Sequence, residues 1–331
     1  MTIKSPLILE VDMTLSTTIT LGKLGTFFAA EKLMFVGRAS FEERAYSAIN
    51  ELRGHHTINT TLFRSKDETP EAIELRERFS QDTDTLISLN TFEPLSTQMT
   101  LRRKIQSMRS LDFDRLVIDI SSFRREELLI LVRELTEVKE LHEKTTLIYC
   151  RAKEHGDWLS QNVREVRPVI GFPGEVSSLR KTHLIVLGGI ETHRALSIVR
   201  WYEPFSISLG YVPRHQAIND DVAERNLELG ERLKVSFDQI EDEFEFSPSS
   251  VSEVIRGLEK TSEKHSGKNI VIAPLNTKMS TLAVGLFAIA HPECQLCYAE
   301  VEIYNSKSYS SCGESYSLIS FDELLTAVST S

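Results

Sequence analysis

The chain has 331 residues, 41% of them hydrophobic and 26% charged, which is enough to bury a large core and long enough for two domains. Its 38 Lys and Arg against 48 Asp and Glu leave a net charge of −10, whereas a general nucleic-acid binder carries a basic surplus or stripe. Four cysteines exclude a disulfide framework, and the longest strongly apolar run, 279–290, is too short to span a bilayer. The first residues lack the charged start, apolar stretch and small-residue cleavage site of a signal peptide, so a cytoplasmic protein with reduced thiols and no membrane partner is expected.

In chain order, residues 1–31 form an arm whose alternation (Ile8, Glu10, then Thr18 to Leu21) predicts a short hairpin or an edge strand. The apolar run 33–37 predicts a strand, and Ala45, Ala48, Ile49 and Leu52 then mark one face of a helix. Residues 57–63 alternate as a strand does. The basic cluster Arg102, Arg103, Lys104 and Arg109 reads as a solvated helix face. Residues 115–121 predict a buried strand, followed by a helix with Leu128, Leu129, Val132 and Leu135 inward; 145–150 and 167–172 predict two more strands.

The same order then recurs about 150 residues later, which points to an internal duplication. Residues 184–188 match 33–37, and Ala195, Ile198, Val199 and Tyr202 repeat the first helix face. Residues 207–213, 269–274, 295–300 and 316–321 match the later strands, and a helix with Leu282, Ala283, Leu286 and Ile289 matches the one after residue 124. Strands alternating with helices predict an α/β fold of two tandem Rossmann-like modules with mostly parallel sheets. The first module spans 32–172, a polar linker 173–182, and the second module 183–331. The acidic stretch 238–245 reads as an exposed linker or helix start.

In such sheets ligands bind beyond the carboxyl ends of the strands, where helix N-termini present backbone N–H groups. Two turns there are polar in both copies. One holds Gly37 and Ser40, matched by Gly188 and Gly189; it is neither GxGxxG nor a P-loop. The other holds Asp119, Ser121, Ser122 and Arg124, matched by Asn276, Thr277 and Lys278. Helix capping accounts for the hydroxyls and amides, but not for a cation in the first turn, where it opposes the helix dipole. These residues are the candidate ligand-binding set. Glu42 and Glu191, close to Arg44 and Arg194, read as ion-paired or capping groups or as carboxylates for acid–base work. His291, Cys294, Cys297 and Cys312 have superficial zinc spacing, but a strand through 295–300 sends Cys294 and Cys297 to opposite faces. The loop 304–313, with Tyr304 and Tyr309, reads as a surface loop or as a cover stacking on a base. No catalytic residue, metal ligand or cofactor is assigned.

The turn Asn276-Thr277-Lys278, between a strand and a helix, resembles the CARF (CRISPR-associated Rossmann fold) family, which often carries a Gly-Thr-Lys-like turn there; Asn276 departs from that glycine. The segment 119–124 looks like the corresponding Asp-hydroxyl-Arg turn of other members, and two such modules in one chain are similar to the SAVED domain. The resemblance implies sensing of a nucleotide, including cyclic oligonucleotides, between the copies, in antiviral defence. These 331 residues hold no nuclease, protease or TIR effector, so a separate effector protein is expected as partner. The rival readings are a phosphodiesterase-type ring nuclease, with Lys278 or Arg124 balancing transition-state charge, and a ligand-free interaction scaffold.

Overall fold

The structure, a computed structural model, describes residues 15–28 and 31–329. It opens with β1 (Thr17–Thr20) and the one-turn α1 (Leu24–Phe27); Ile8 and Glu10 lie outside the described residues. The first unit continues with β2 (Leu33–Arg38), α2 (Arg44–Arg53), β3 (Asn59–Ser65), α3 (Pro70–Phe79), β4 (Thr85–Leu89), α4 (Pro94–Met108), β5 (Arg115–Asp119), α5 (Arg125–Thr136), β6 (Thr145–His155) and β7 (Ser160–Pro173). The second repeats the order: β8 (Thr182–Leu187), α6 (Thr192–Tyr202), β9 (Ser206–Tyr211), α7 (Asp220–Ser236), β10 (Ile240–Glu245), α8 (Val251–Lys264), β11 (Asn269–Pro274), α9 (Lys278–Ala290), β12 (Gln295–Tyr304) and β13 (Ser310–Ser320), then α10 (Phe321–Ser329).

The duplication is visible in the sheets. One has the order β1-β13-β6-β5-β2-β3-β4 and the other β7-β12-β11-β8-β9-β10. Apart from β1, an edge strand antiparallel to β13, the two orders coincide element for element. Strands β2 to β6 and β8 to β12 run parallel within their sheets, as crossover helices require, whereas β7 and β13 are antiparallel to their neighbours β12 and β6. The final strand of each unit therefore belongs to the other unit's sheet.

Strand alternation sends Met34 and Val36 to one core and Leu33 and Phe35 to another, and it separates Ile185 and Leu187 from Leu184 and Val186 in the same way. Helix α2 covers the outer face of the first sheet, and α6 and α7 cover that of the second. Between the sheets α4, α5, α8 and α9 share one continuous core. Helix α9 is apolar around its circumference because it is enclosed on every side. A β-carbon at Gly285 would stand 3.0 Å from Leu129, so the small residue lets α9 lie close against α5.

Three details differ from the sequence reading. The acidic stretch forms β10, an edge strand in which Glu241, Glu243 and Glu245 are exposed and Ile240, Asp242 and Phe244 are partly covered; charge on an outer strand discourages edge-to-edge pairing. The hydrogen bond that closes each first strand runs from Ala39 N–H to Phe63 O and from Gly188 N–H to Gly210 O. Ala39, not Gly37, is thus the counterpart of Gly188. Helix α5 begins at Arg125 and α9 at Lys278, so Arg125, not Arg124, is the counterpart of Lys278.

Because each unit lends a strand to the other, cutting the exposed segment 174–181 should leave two fragments that co-elute under native conditions and separate only in denaturant. Fragments that elute as independent folded monomers on size-exclusion chromatography would contradict the strand exchange.

Candidate functional site

The strand exchange brings the strand ends of both units to one crevice. Its larger cavity, about 360 Å³, is on the first unit's side, and a smaller one of about 70 Å³ is on the second's. Arg125, Lys278 and Tyr309 line both cavities and mark their boundary.

Two matching carboxylates anchor the crevice. Glu42 accepts hydrogen bonds from Arg44 Nε at 2.6 Å and from Ser310 Oγ at 2.5 Å. Glu191 accepts from Arg194 Nη1 at 3.1 Å, from Arg125 Nη1 at 2.9 Å and from Ser160 Oγ. Ser160 and Ser310 are the first residues of the exchanged strands, so each unit's carboxylate is held by a hydroxyl from the other unit. The arginines are fixed in turn by main-chain carbonyls, Arg44 by Cys150 O at 3.4 Å and Arg194 by Ala299 O at 2.6 Å. Burial opposes ionisation of both carboxyls. For Glu42 the Arg44 and Lys278 charges, and for Glu191 the Arg194 and Arg125 charges, outweigh it and hold each below the usual carboxylate range. Ion pairing, one of the two readings open from sequence, is what the geometry realises.

At the helix starts the two copies part company. Arg125 reaches across to Glu191 and also donates to Leu275 O at 3.0 Å and to Asn276 O at 2.8 Å. Its counterpart Lys278 has no hydrogen-bond or ion-pair partner among the described residues. Burial, reinforced by the Arg125 and Arg44 charges and only partly offset by Glu42 and Glu191, pulls its ammonium down to about 7. A half-buried lysine is thus held unpaired at a helix N-terminus, on the wall of a cavity.

The turns around it are held by hydrogen bonds. Ser122 Oγ donates to Arg38 O at 2.6 Å, and Asn276 Nδ2 donates to Gly188 O at 2.5 Å, tying the two strand-end turns together in each unit. Thr277 caps α9, its hydroxyl accepting from Ser280 N–H at 3.1 Å and donating to Pro248 O at 2.5 Å. At Gly189 a β-carbon would stand 2.0 Å from Leu275 O, so only glycine allows this closeness. In the larger cavity Arg38 pairs with Glu127 at 2.6 Å, both side chains buried, and donates to Ser65 at 2.7 Å. Arg124 lies over the Tyr304 ring at 4.9 Å, and Phe41, Tyr304 and Tyr309 form an aromatic cluster with centroids 5.6–6.2 Å apart.

Of the residues singled out from sequence, Ser40, Ser122 and Arg124 line the larger cavity, Gly189, Asn276 and Thr277 the smaller, and Lys278 both. Gly37, Asp119, Ser121 and Gly188 are not brought to either wall. Gly37 lies inside β2; Asp119 and Ser121 point into the protein, where Asp119 Oδ1 accepts from Ser121 N–H and Ser121 Oγ from Cys150 N–H. Burial pushes the Asp119 carboxyl up to about 7 against those hydrogen bonds. Sequence reasoning missed Arg38, Arg125 and Phe41 as wall residues. A charge closing the apolar run 33–37 was the available signal for Arg38. Cys294 and Cys297 face different cores, one on each side of the second sheet.

Neither protein-family models nor curated proteins match the sequence. Among the described residues no helix is long and apolar enough to cross a membrane.

The state of Lys278 has a measurable consequence. Its folded pKa of about 7 lies below the ordinary 10.5, so the fold is penalised as pH falls from about 10.5 through 7, and fully so below. Lys278→Met should therefore melt above the parent chain at about pH 6, with the difference shrinking as pH rises toward 10. A lower melting temperature for the variant at about pH 6 would mean that the ammonium is paired. Separately, Glu127→Ala strands Arg38 and is expected to cost about 3–5 kcal/mol in denaturant unfolding; a cost under about 1 kcal/mol would place that pair in solvent.

Proposed function

We propose that the crevice binds a small anionic ligand of nucleotide type, and that the chain senses or regulates through it. The observation that carries this reading is Lys278, a cation without a protein partner at the start of a helix, between two cavities. Neither packing nor capping accounts for it. A phosphate would supply the missing charge and accept hydrogen bonds from the helix N-terminus as well as from the ammonium. The cluster of Phe41, Tyr304 and Tyr309 beside it, with Arg124, suits a flat base. At about 360 Å³ the larger cavity is within the usual range for a small ligand.

The likeness of the 276–278 turn to CARF proteins, and of the tandem arrangement to the SAVED domain, adds cyclic oligonucleotides as a ligand class, antiviral defence as a setting and a separate effector protein as partner. The inequality of the two cavities favours a ligand held asymmetrically, with its base in the first unit. Turnover is the second reading, and one observation favours it: a lysine near neutrality can carry a proton at physiological pH.

A thermal-shift panel of nucleotides and cyclic oligonucleotides tests the reading. A ligand present at 100 times its Kd should add about 2.7 kcal/mol. Binding should take up a proton on Lys278 and weaken as pH rises above about 7. Lys278→Met and Arg124→Ala should each remove the shift. Chromatography of the same mixtures separates sensor from ring nuclease, and no shift across the panel would leave the scaffold reading.

A further inference from the structure

The molecule holds a close pair of free thiols away from the crevice walls. Cys150 in β6 and Cys312 in β13 have their sulfurs 3.3 Å apart. These strands are antiparallel neighbours in which Cys312 faces Ala152 and Cys150 faces Tyr316, with an irregularity between Cys312 and Tyr316. Cys150 and Ala152 share a face of β6, so the irregular stretch is what leans Cys312 diagonally over Cys150. A disulfide needs the sulfurs at about 2.05 Å, so the pair has to close the rest of a 3.3 Å separation.

The surroundings divide the labour between the two thiols. Cys150 is buried, and the hydrogen bond it makes to Cys312, with burial, keeps it protonated. Cys312 is half-buried. The hydrogen bond from Cys150 pulls it below the ordinary thiol range against burial, with help from Ser47, whose hydroxyl is 3.7 Å from the sulfur, and from the Arg44 charge. The other groups facing the pair are Glu43, Asp119 and Tyr316. Cys294 and Cys297 offer the contrast: both are buried, and burial raises both thiols.

We propose that Cys312 and Cys150 are a peroxide-reactive pair that closes to a reversible disulfide, with Cys312 as nucleophile and Cys150 as resolving thiol. The Cys312 thiolate attacks one oxygen of a hydroperoxide; the S–O bond forms, the O–O bond breaks, and the other oxygen leaves as alcohol or, from hydrogen peroxide, water after taking a proton. Sulfur is oxidised to the sulfenic acid and the peroxide reduced. The Cys150 sulfur then attacks that of Cys312; the S–S bond forms, the S–O bond breaks, and the hydroxide leaves as water with the Cys150 proton. Two equivalents of a low-molecular-weight thiol return the pair to the dithiol by exchange.

The test titrates the full chain with hydrogen peroxide, blocks residual thiols with N-ethylmaleimide and maps the peptides by mass spectrometry. The expected product has lost two hydrogens, links the peptides of Cys150 and Cys312, leaves Cys294 and Cys297 alkylated under denaturant, and is reversed by dithiothreitol. With Cys150→Ser, or Cys150→Ala should serine unfold the core, Cys312 should stop at the sulfenic acid and be trapped by dimedone. The rate should level off at a lower pH than that of an ordinary thiol, which keeps accelerating to about 8.5. Oxidation at Cys294 or Cys297 first, sulfinic acid at Cys312 without the cross-link, or no reaction at millimolar peroxide would each overturn the proposal.

Discussion

Two helices that start face to face bring two positive side chains together, and like charges in a half-buried crevice must be neutralised or forgo their protons. Arg125 and Lys278 begin α5 and α9. Arg125 is accommodated: Glu191 reaches it, and the carbonyls of Leu275 and Asn276 take its remaining protons. Lys278 is not, because Glu42 is committed to Arg44 and Ser310. A planar guanidinium with five donors can share a carboxylate and two carbonyls at once, and a compact ammonium cannot satisfy so dispersed a set. The imbalance follows from helix starts that differ, Arg125 being paired and Lys278 not, and the proposed ligand is the group that would redress it.

The exchange of β7 and β13 is what makes the crevice a joint property of the two units. Ser160 and Ser310 arrive on the exchanged strands and hold Glu191 and Glu42. Tyr309 immediately precedes β13 and stands on the boundary between the cavities. The side chains that differ between copies set the unequal volumes. Where the first unit ends β2 with Arg38, drawn toward Glu127, the second ends β8 with apolar Leu187, sealed in the central core. The turns following those strands, Ala39-Ser40 and Gly188-Gly189, differ too, with Gly189 pressed against Leu275 O.

Much of this was legible in the sequence. Alternation and helical spacing marked the strands and helices around both candidate turns in order, and their recurrence marked the duplication, because local patterning depends only on which face of an element is buried; α3, β4, α7 and α8 were not picked out. The exchange of β7 and β13 was not legible, since a strand's pattern records that it is buried and not which sheet buries it. The acidic strand β10 was hidden because an edge strand tolerates charge on its open face. Asp119 and Ser121 have the spacing that puts two side chains on one side of an extended chain, and that side faces inward, which residue type alone could not tell. Lys278 could be picked out from sequence as a cation at a helix N-terminus, and α9 does begin there. That it lacks a partner while Arg125 has one required the geometry of both units together.

The most direct test of the account is the pKa of the Lys278 ammonium, read by NMR from its labelled side chain as pH is varied in the unliganded full-length protein, with Lys278→Met to assign the signal. The account expects a midpoint near 7, and an upward movement when an anionic ligand binds. A midpoint at the ordinary lysine value of 10.5 would contradict it, since such a lysine is solvated or already paired and the crevice then lacks the unbalanced charge on which the proposed function rests.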